Sequence, residues 1–283
     1  MANMSAQVER SPFGVVGVIG PWNYPIFTPV GSIVYALAAG NTVVFKPSEY
    51  TPGVGLWLQE SFNSIAPFAD IFTTITGLAE TGNALCTSAI DKLSFTGSTR
   101  TAKLVAAACA VNLTPIVAEC GGKDPVIVAA DANLDRAVDA TMWSAMANAG
   151  QSCIGAERVY VDERVADLFI AKAVALAENI HAGAPGDGNY GPATMPSQIS
   201  IISSHIKAAI KDGAARPEII WYSSVPERAG EPRRQLKAKT YALLLLECRD
   251  ARRDLPVGRG LSRRHFNQAR RAVERVGQVL RGG

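Results

Sequence analysis

The 283-residue chain is 48% hydrophobic and 19% charged, enough apolar material for a packed core and the wrong balance for intrinsic disorder. Its length suggests one or two domains. A formal charge of +3 is too small to mark a nucleic-acid binder, and Pro21, Pro25, Pro29, Asn23 and Asn41 interrupt the apolar stretch 13–45 before it reaches the ~18 clean residues of a membrane span. In chain order, β-rich runs at 15–19, 42–45, 71–75, 92–95, 115–118, 126–128 and 158–161 alternate with helical patterns at 31–39, 53–65, 98–110, 134–149 and 165–180. Most of the runs read as fully buried parallel strands. Strand–helix alternation predicts an α/β fold, a parallel sheet covered by helices. A loop rich in Gly, Pro and Asn follows at 181–196, then a helical pattern at 197–212.

Charge is unevenly distributed. Residues 1–214 carry 12 Lys+Arg against 18 Asp+Glu, whereas 215–283 carry 16 against 7, and 14 of those 16 are arginine. In the basic segment only 241–247 and 267–280 read as helices, and the remainder predicts a poorly packed tail. Cys86, Cys109, Cys120, Cys153 and Cys248 are widely spaced without a CxxC pair, and the start MANMSAQVER lacks the pattern of a secretory leader. Free thiols in a reducing, cytoplasmic setting are expected, with no metal site.

Several residues have the chemistry of a site. Cys153 lies in Asn-Ala-Gly-Gln-Ser-Cys-Ile-Gly, between a helix pattern and a strand. Rigid flanking elements can hold an accessible thiol there as a nucleophile; a small buried hydrophobe is the other reading. Glu119, in Glu-Cys-Gly-Gly-Lys at the end of an apolar strand, is a general-base candidate if partial desolvation raises its pKa; a solvated turn or an ion pair would look the same. Asn23, in Pro-Trp-Asn-Tyr-Pro, can offer its amide to a developing oxyanion or simply form a turn between prolines. Gly14, Gly17 and Gly20 are spaced three apart but inside a strand-like run with no helix opening behind them, a weak imitation of a dinucleotide fingerprint. Gly97 and Ser98 follow a strand and open a helix, as a pyrophosphate site requires and as any well-capped helix also does. Lys46, Ser48 and Glu49 end a strand in Lys-Pro-Ser-Glu, either a ribose site or a charged turn.

These motifs occur in a fixed order: Pro-Trp-Asn-Tyr-Pro, Gly-Asn-Thr-Val-Val-Phe-Lys-Pro-Ser-Glu, Phe-Thr-Gly-Ser, Glu-Cys-Gly-Gly-Lys and Gly-Gln-Ser-Cys. In that order, and in the interval from Glu119 to Cys153, residues 11–213 resemble the aldehyde dehydrogenase superfamily. Cys120 departs from the family's usual leucine. The resemblance implies a Rossmann-like parallel-sheet cofactor domain over 1–122 and an incomplete α/β catalytic domain over 123–214, followed by the Arg-rich tail 215–283. It implies that Cys153 attacks an aldehyde carbon to give a thiohemiacetal, and that Asn23 and the Cys153 amide stabilise the oxyanion, each donor worth ~3 kcal/mol. Hydride passes to a nicotinamide, leaving a thioester that Glu119 helps water to hydrolyse. Lys46, Ser48 and Glu49 would meet the adenosine ribose, and Gly97 and Ser98 the pyrophosphate. The Glu49 carboxylate favours NAD over NADP, although some relatives with this residue use both.

The family's downstream Glu-x-Phe-Gly-Pro and Pro-Phe-Gly-Gly segments, its oligomerisation strand and a substantial N-terminal region find no counterpart here. The expectation is the middle of such an enzyme joined to a tail translated out of frame from near Ala214, with a nucleic-acid- or lipid-binding tail as the alternative. The expected partner is an aldehyde, with no nucleic acid and no membrane. The competing function is a catalytically impaired remnant that binds nucleotide or associates with intact relatives.

Overall fold

The Val- and Ile-rich runs form β1 (Val15–Ile19), β2 (Thr42–Lys46), β3 (Phe72–Thr74), β4 (Lys92–Gly97) and β5 (Ile116–Cys120). They make one parallel sheet in the order β3-β2-β1-β4-β5. Helices α1 (Phe27–Ala38), α2 (Pro52–Asn63), α3 (Ala79–Thr87) and α4 (Thr99–Ala110) connect the strands. The structure, a computed structural model, describes residues 6–65, 71–183 and 188–211, all within the unit Met1–Glu247. The Arg-rich tail 215–283, with its helical patterns at 241–247 and 267–280 and with Cys248, lies outside the described residues.

Side chains alternate across a strand, so both faces of this sheet need covering. Val16, Val18, Val43, Phe45 and Phe72 pack with Ile33 and Ala36 of α1 and Leu58 of α2. Leu93 and Phe95 pack on the other side with Leu85 and Cys86 of α3 and Ala102, Val105 and Cys109 of α4, joined by Val15, Ile19 and Val44. Burial on both faces is why these strands read as continuous apolar runs, each large side chain contributing about 1.5–3 kcal/mol when fully buried. The chain runs from β1 outward to β2 and β3, then returns to the other side of β1 for β4 and β5. That reversal makes the carboxyl ends of β1 and β4 the sheet's topological switch point, the place where open α/β sheets bind ligands.

A second pair of parallel strands, β6 (Asp124–Val128) and β7 (Ala156–Val161), packs with α5 (Leu134–Met146) and α6 (Glu163–Ala177) around Met142, Val159 and Phe169. Helix α7 (Pro196–Lys211) follows. No helix among the described residues is long and apolar enough to cross a membrane.

Three local expectations change. Helix α3 has no announcing periodicity: Gly82 and Asn83 are poor helix formers and no side chain caps it. Tertiary burial of Leu85 and Cys86 forms it instead. The helix expected over 134–149 stops at Met146: its C-cap Ala147 already turns to ψ 137°, and Asn148 (φ 53°) and Ala149 (φ 61°) beyond it adopt left-handed backbone. The strand expected to be fully buried at 115–118 becomes the sheet edge β5, with Val117, Ala118 and Glu119 exposed.

Candidate active site

The predicted site residues gather at the carboxyl edge of the five-stranded sheet. Register pairs Ile19 with both Lys46 and Phe95, Thr96 with Glu119, and Gly97 with Cys120. The loop carrying Asn23, the Lys46–Glu49 turn, the Gly97–Ser98 turn and Glu119 therefore leave the sheet on the same side.

Lys46 ends β2 almost wholly buried, 4% exposed, and its Nζ donates to the Pro47 carbonyl at 3.1 Å. Burial pulls its pKa below 10.5, against the attraction of Glu49 and of Glu80 in the first turn of α3. An ammonium has three N–H donors, and this one has a single acceptor among the described residues. The remaining donors suit a ligand rich in hydroxyl oxygens, as a ribose is. Ser48 is buried; its hydroxyl donates to the Glu49 carboxylate at 3.3 Å and accepts the Tyr50 amide at 3.3 Å. Glu49 is thereby steadied while remaining exposed to solvent.

Ser98 is the N-cap of α4, its hydroxyl accepting the Thr101 amide at 3.2 Å. The first-turn amides of this helix have no intrahelical acceptor and carry the positive end of its dipole. A Cβ on Gly97 would stand 2.7 Å from Phe95 Cζ, so a side chain there would push against the buried Phe95 ring. The Gly14-Gly17-Gly20 pattern has a different origin. A Cβ on Gly17 would stand 2.7 Å from Leu93 Cδ1 and 2.9 Å from Ile90 Cδ1, so a side chain there would displace the side chains packed across the sheet. A helix does follow these glycines, but α1 opens only at Phe27, beyond the Asn23 loop.

The nucleophile loop is tied to both neighbours. The half-buried Asn23 donates through Nδ2 to the Gln151 carbonyl at 2.9 Å. A carbonyl only accepts, so the NH2 end of the amide faces it, and the second N–H has no partner among the described residues. Two residues on, the Cys153 carbonyl accepts the Gly122 amide at 3.4 Å, three residues beyond Glu119. Lys123 forms an ion pair with Glu157, and Arg158 Nε donates to the Lys123 carbonyl at 2.7 Å. The Gly-Gly-Lys turn is thus stapled to both the thiol loop and β7. Cys153 is half-buried and its thiol is free. Glu119 departs from expectation: β5 is the sheet edge, and its carboxylate is exposed rather than desolvated.

Asn148 and Gln151 did not stand out in the sequence. Asn148 Nδ2 donates to the Asn23 carbonyl at 3.0 Å, and Gln151 receives the Thr194 amide on Oε1 at 2.8 Å while donating to the Asn148 carbonyl at 3.0 Å. The tripeptide Asn-Ala-Gly behind a helix was the available signal, since Asn and Gly tolerate left-handed turns.

A family model described as the aldehyde dehydrogenase family matches residues 1–217. The chain belongs to the aldehyde dehydrogenase family. This aldehyde dehydrogenase family member is 37% identical over 227 residues to 2-hydroxymuconic semialdehyde dehydrogenase of Pseudomonas sp. (strain CF600), a match covering 78% of this chain and 46% of that protein. Its fold is similar to that of an aldehyde dehydrogenase from Bacillus cereus solved as an NAD+ complex, with a TM-score of 0.70 and 32% identity over 72% of this chain and 43% of the other. It is also similar to an NADP-dependent enzyme of E. coli, with a TM-score of 0.71 and 36% identity over 75% and 45% of the two chains. The chain spans less than half the length of each of these proteins. Among the described residues no group of three or more His, Cys, Asp or Glu side chains could hold a metal ion.

Proposed function

We propose that this chain carries the cofactor-binding and nucleophile-bearing parts of an enzyme that oxidises an aldehyde to a carboxylic acid, with residues 1–122 as the cofactor domain and 123–214 as part of the catalytic domain. One observation above all supports the reading: the Asn23 amide is bonded to the thiol loop at Gln151, while that loop accepts a bond from the turn following Glu119. The Cys153 thiol gives up its proton to solvent water and its sulfur bonds to the aldehyde carbon, moving the carbonyl electron pair onto oxygen. The free N–H of Asn23 and the backbone N–H of Cys153 donate to that oxyanion. When bound, a nicotinamide supplies the hydride acceptor of the oxidation. Glu119 then takes a proton from the water that cleaves the acyl–sulfur bond.

Lys46, Ser48 and Glu49 hold the ribose hydroxyls, and Gly97, Ser98 and the first turn of α4 hold the pyrophosphate. The carboxylate of Glu49 repels a 2′-phosphate, which favours NAD over NADP. Four free cysteines among the described residues suit a reducing compartment such as the cytoplasm. A second reading, a catalytically impaired relative, draws on the exposed apolar residues Val117, Ile127, Trp143 and Ile154, which offer surface for association with another polypeptide.

The purified chain, mixed with NAD+ and a panel of aldehydes, separates the two by NADH absorbance. Formation of NADH that disappears in Cys153→Ala supports the first reading, at a turnover expected to fall far below that of the longer relatives. Ester hydrolysis needs only the thiol and the oxyanion donors, and is expected to depend on Cys153 even where NADH formation is slow. Ester hydrolysis unchanged in Cys153→Ala would overturn the assignment of the nucleophile.

A further inference from the structure

Residues Asn148, Ala149 and Gly150 all adopt left-handed backbone, with φ of 53°, 61° and 72°. Helix α5 has already ended at its C-cap Ala147 (ψ 137°), and where helices do close on a left-handed residue they use one, usually glycine. An alanine in this conformation is strained, and strain of this kind persists only where its surroundings enforce it. The excursion swings the Asn148 side chain across to a loop 125 residues away in sequence, where Nδ2 donates to the Asn23 carbonyl at 3.0 Å and to the Gln151 carbonyl at 3.4 Å. The Gln151 carbonyl is the same acceptor that holds the Asn23 amide at 2.9 Å. Asn148 therefore grips Asn23 by its backbone and also orients the group to which its side chain is anchored.

We propose that Asn148 is a positioning residue for the oxyanion donor, locking the free N–H of Asn23 over the Cys153 loop; this rests on the acyl-transfer reading above. The residue type follows from the task. Asparagine combines tolerance of left-handed backbone with a two-proton donor, whereas aspartate lacks the donor and glycine lacks the side chain.

The test uses the full chain with Asn148→Gly, which preserves the backbone and deletes the amide, and Asn148→Asp, which keeps the shape and reverses the hydrogen-bonding sense. Three readouts are taken: amide hydrogen exchange over residues 21–28, alkylation of Cys153 by iodoacetamide followed on its peptide, and Cys153-dependent hydrolysis of p-nitrophenyl acetate. Exchange over 21–28 is expected to quicken in both variants. Ester hydrolysis should fall about 10- to 100-fold, the scale of a misplaced catalytic group, with no further loss when Asn148→Gly is added to Asn23→Ala. Alkylation of Cys153, which develops no oxyanion, should stay within about twofold, whereas general loosening of the thiol loop would move it as well.

Unchanged exchange over 21–28 in Asn148→Gly would overturn the clamp whatever the catalytic rates. Additive losses in the double variant, or alkylation that changes in step with ester hydrolysis, would overturn the positioning role. A wild-type chain with no Cys153-dependent ester hydrolysis would instead refute the acyl-transfer reading and with it the role in orienting an oxyanion donor, while the exchange readout still judges the contact.

Discussion

Replacing Lys46 by methionine should strengthen the fold and weaken cofactor binding, two effects of opposite sign from one substitution. The Lys46 ammonium is buried at the end of β2 with one hydrogen bond, to the Pro47 carbonyl, and burial holds its pKa below 10.5. A lowered pKa on a base means that the fold disfavours the charged form. Methionine has similar length and carries no charge to desolvate, so the substitution should be neutral or stabilising. A gain of 1 kcal/mol corresponds to roughly 2–4 °C in Tm for a domain of this size. The gain should shrink as pH rises towards 10.5, because the unfolded chain then binds more protons than the native one and wild-type stability climbs. Binding moves the other way. One lost charged hydrogen bond to a ribose hydroxyl costs about 1.5–3 kcal/mol, or about 10- to 150-fold in Kd for NAD+. Thermal unfolding across neutral to alkaline pH and calorimetric titration with NAD+ measure the two arms. A variant that unfolds several degrees lower at neutral pH and binds NAD+ as tightly as wild type would refute the reasoning on both counts.

Ser98→Ala removes the acceptor for the Thr101 amide and should destabilise the protein by about 1 kcal/mol, read as a lower urea midpoint; an unchanged midpoint would deny the cap its role. Cys86 and Cys109 are buried against one another, and burial pushes the Cys86 thiol from 9.0 up to about 12. Both should resist thiol reagents in the native state while the half-buried Cys153 reacts. Because the native state keeps the Cys86 proton longer than the unfolded chain does, the associated stability is complete below pH 9.0 and is lost as pH rises towards about 12. The slope should approach 1.4 kcal/mol per pH unit at most, about one proton's worth, and should flatten in Cys86→Ala.

The alternation of strand and helix was legible in residue order alone, because the signals are local. Valine-rich runs mark strands buried on both faces, and Ser98 before Thr-Arg-Thr marks a capped helix start; the run at 15–19 coincides with β1 to the residue. The ordered motifs identified the family for the same reason, since each is a short contiguous string carrying its own chemistry. What sequence could not decide is what becomes a neighbour or an edge. Glu119 reads as the end of an apolar strand, yet its exposure depends on whether another element covers β5, a long-range matter no local pattern encodes. Helix α3 exists because Leu85 and Cys86 find a surface formed partly by α4, which comes later in the chain. The bond between Asn148 and Asn23 joins residues 125 positions apart through a backbone excursion that helical periodicity argued against. Such contacts form only once the chain has closed the intervening loop and packing has repaid the entropy of doing so, so tertiary structure alone determines them.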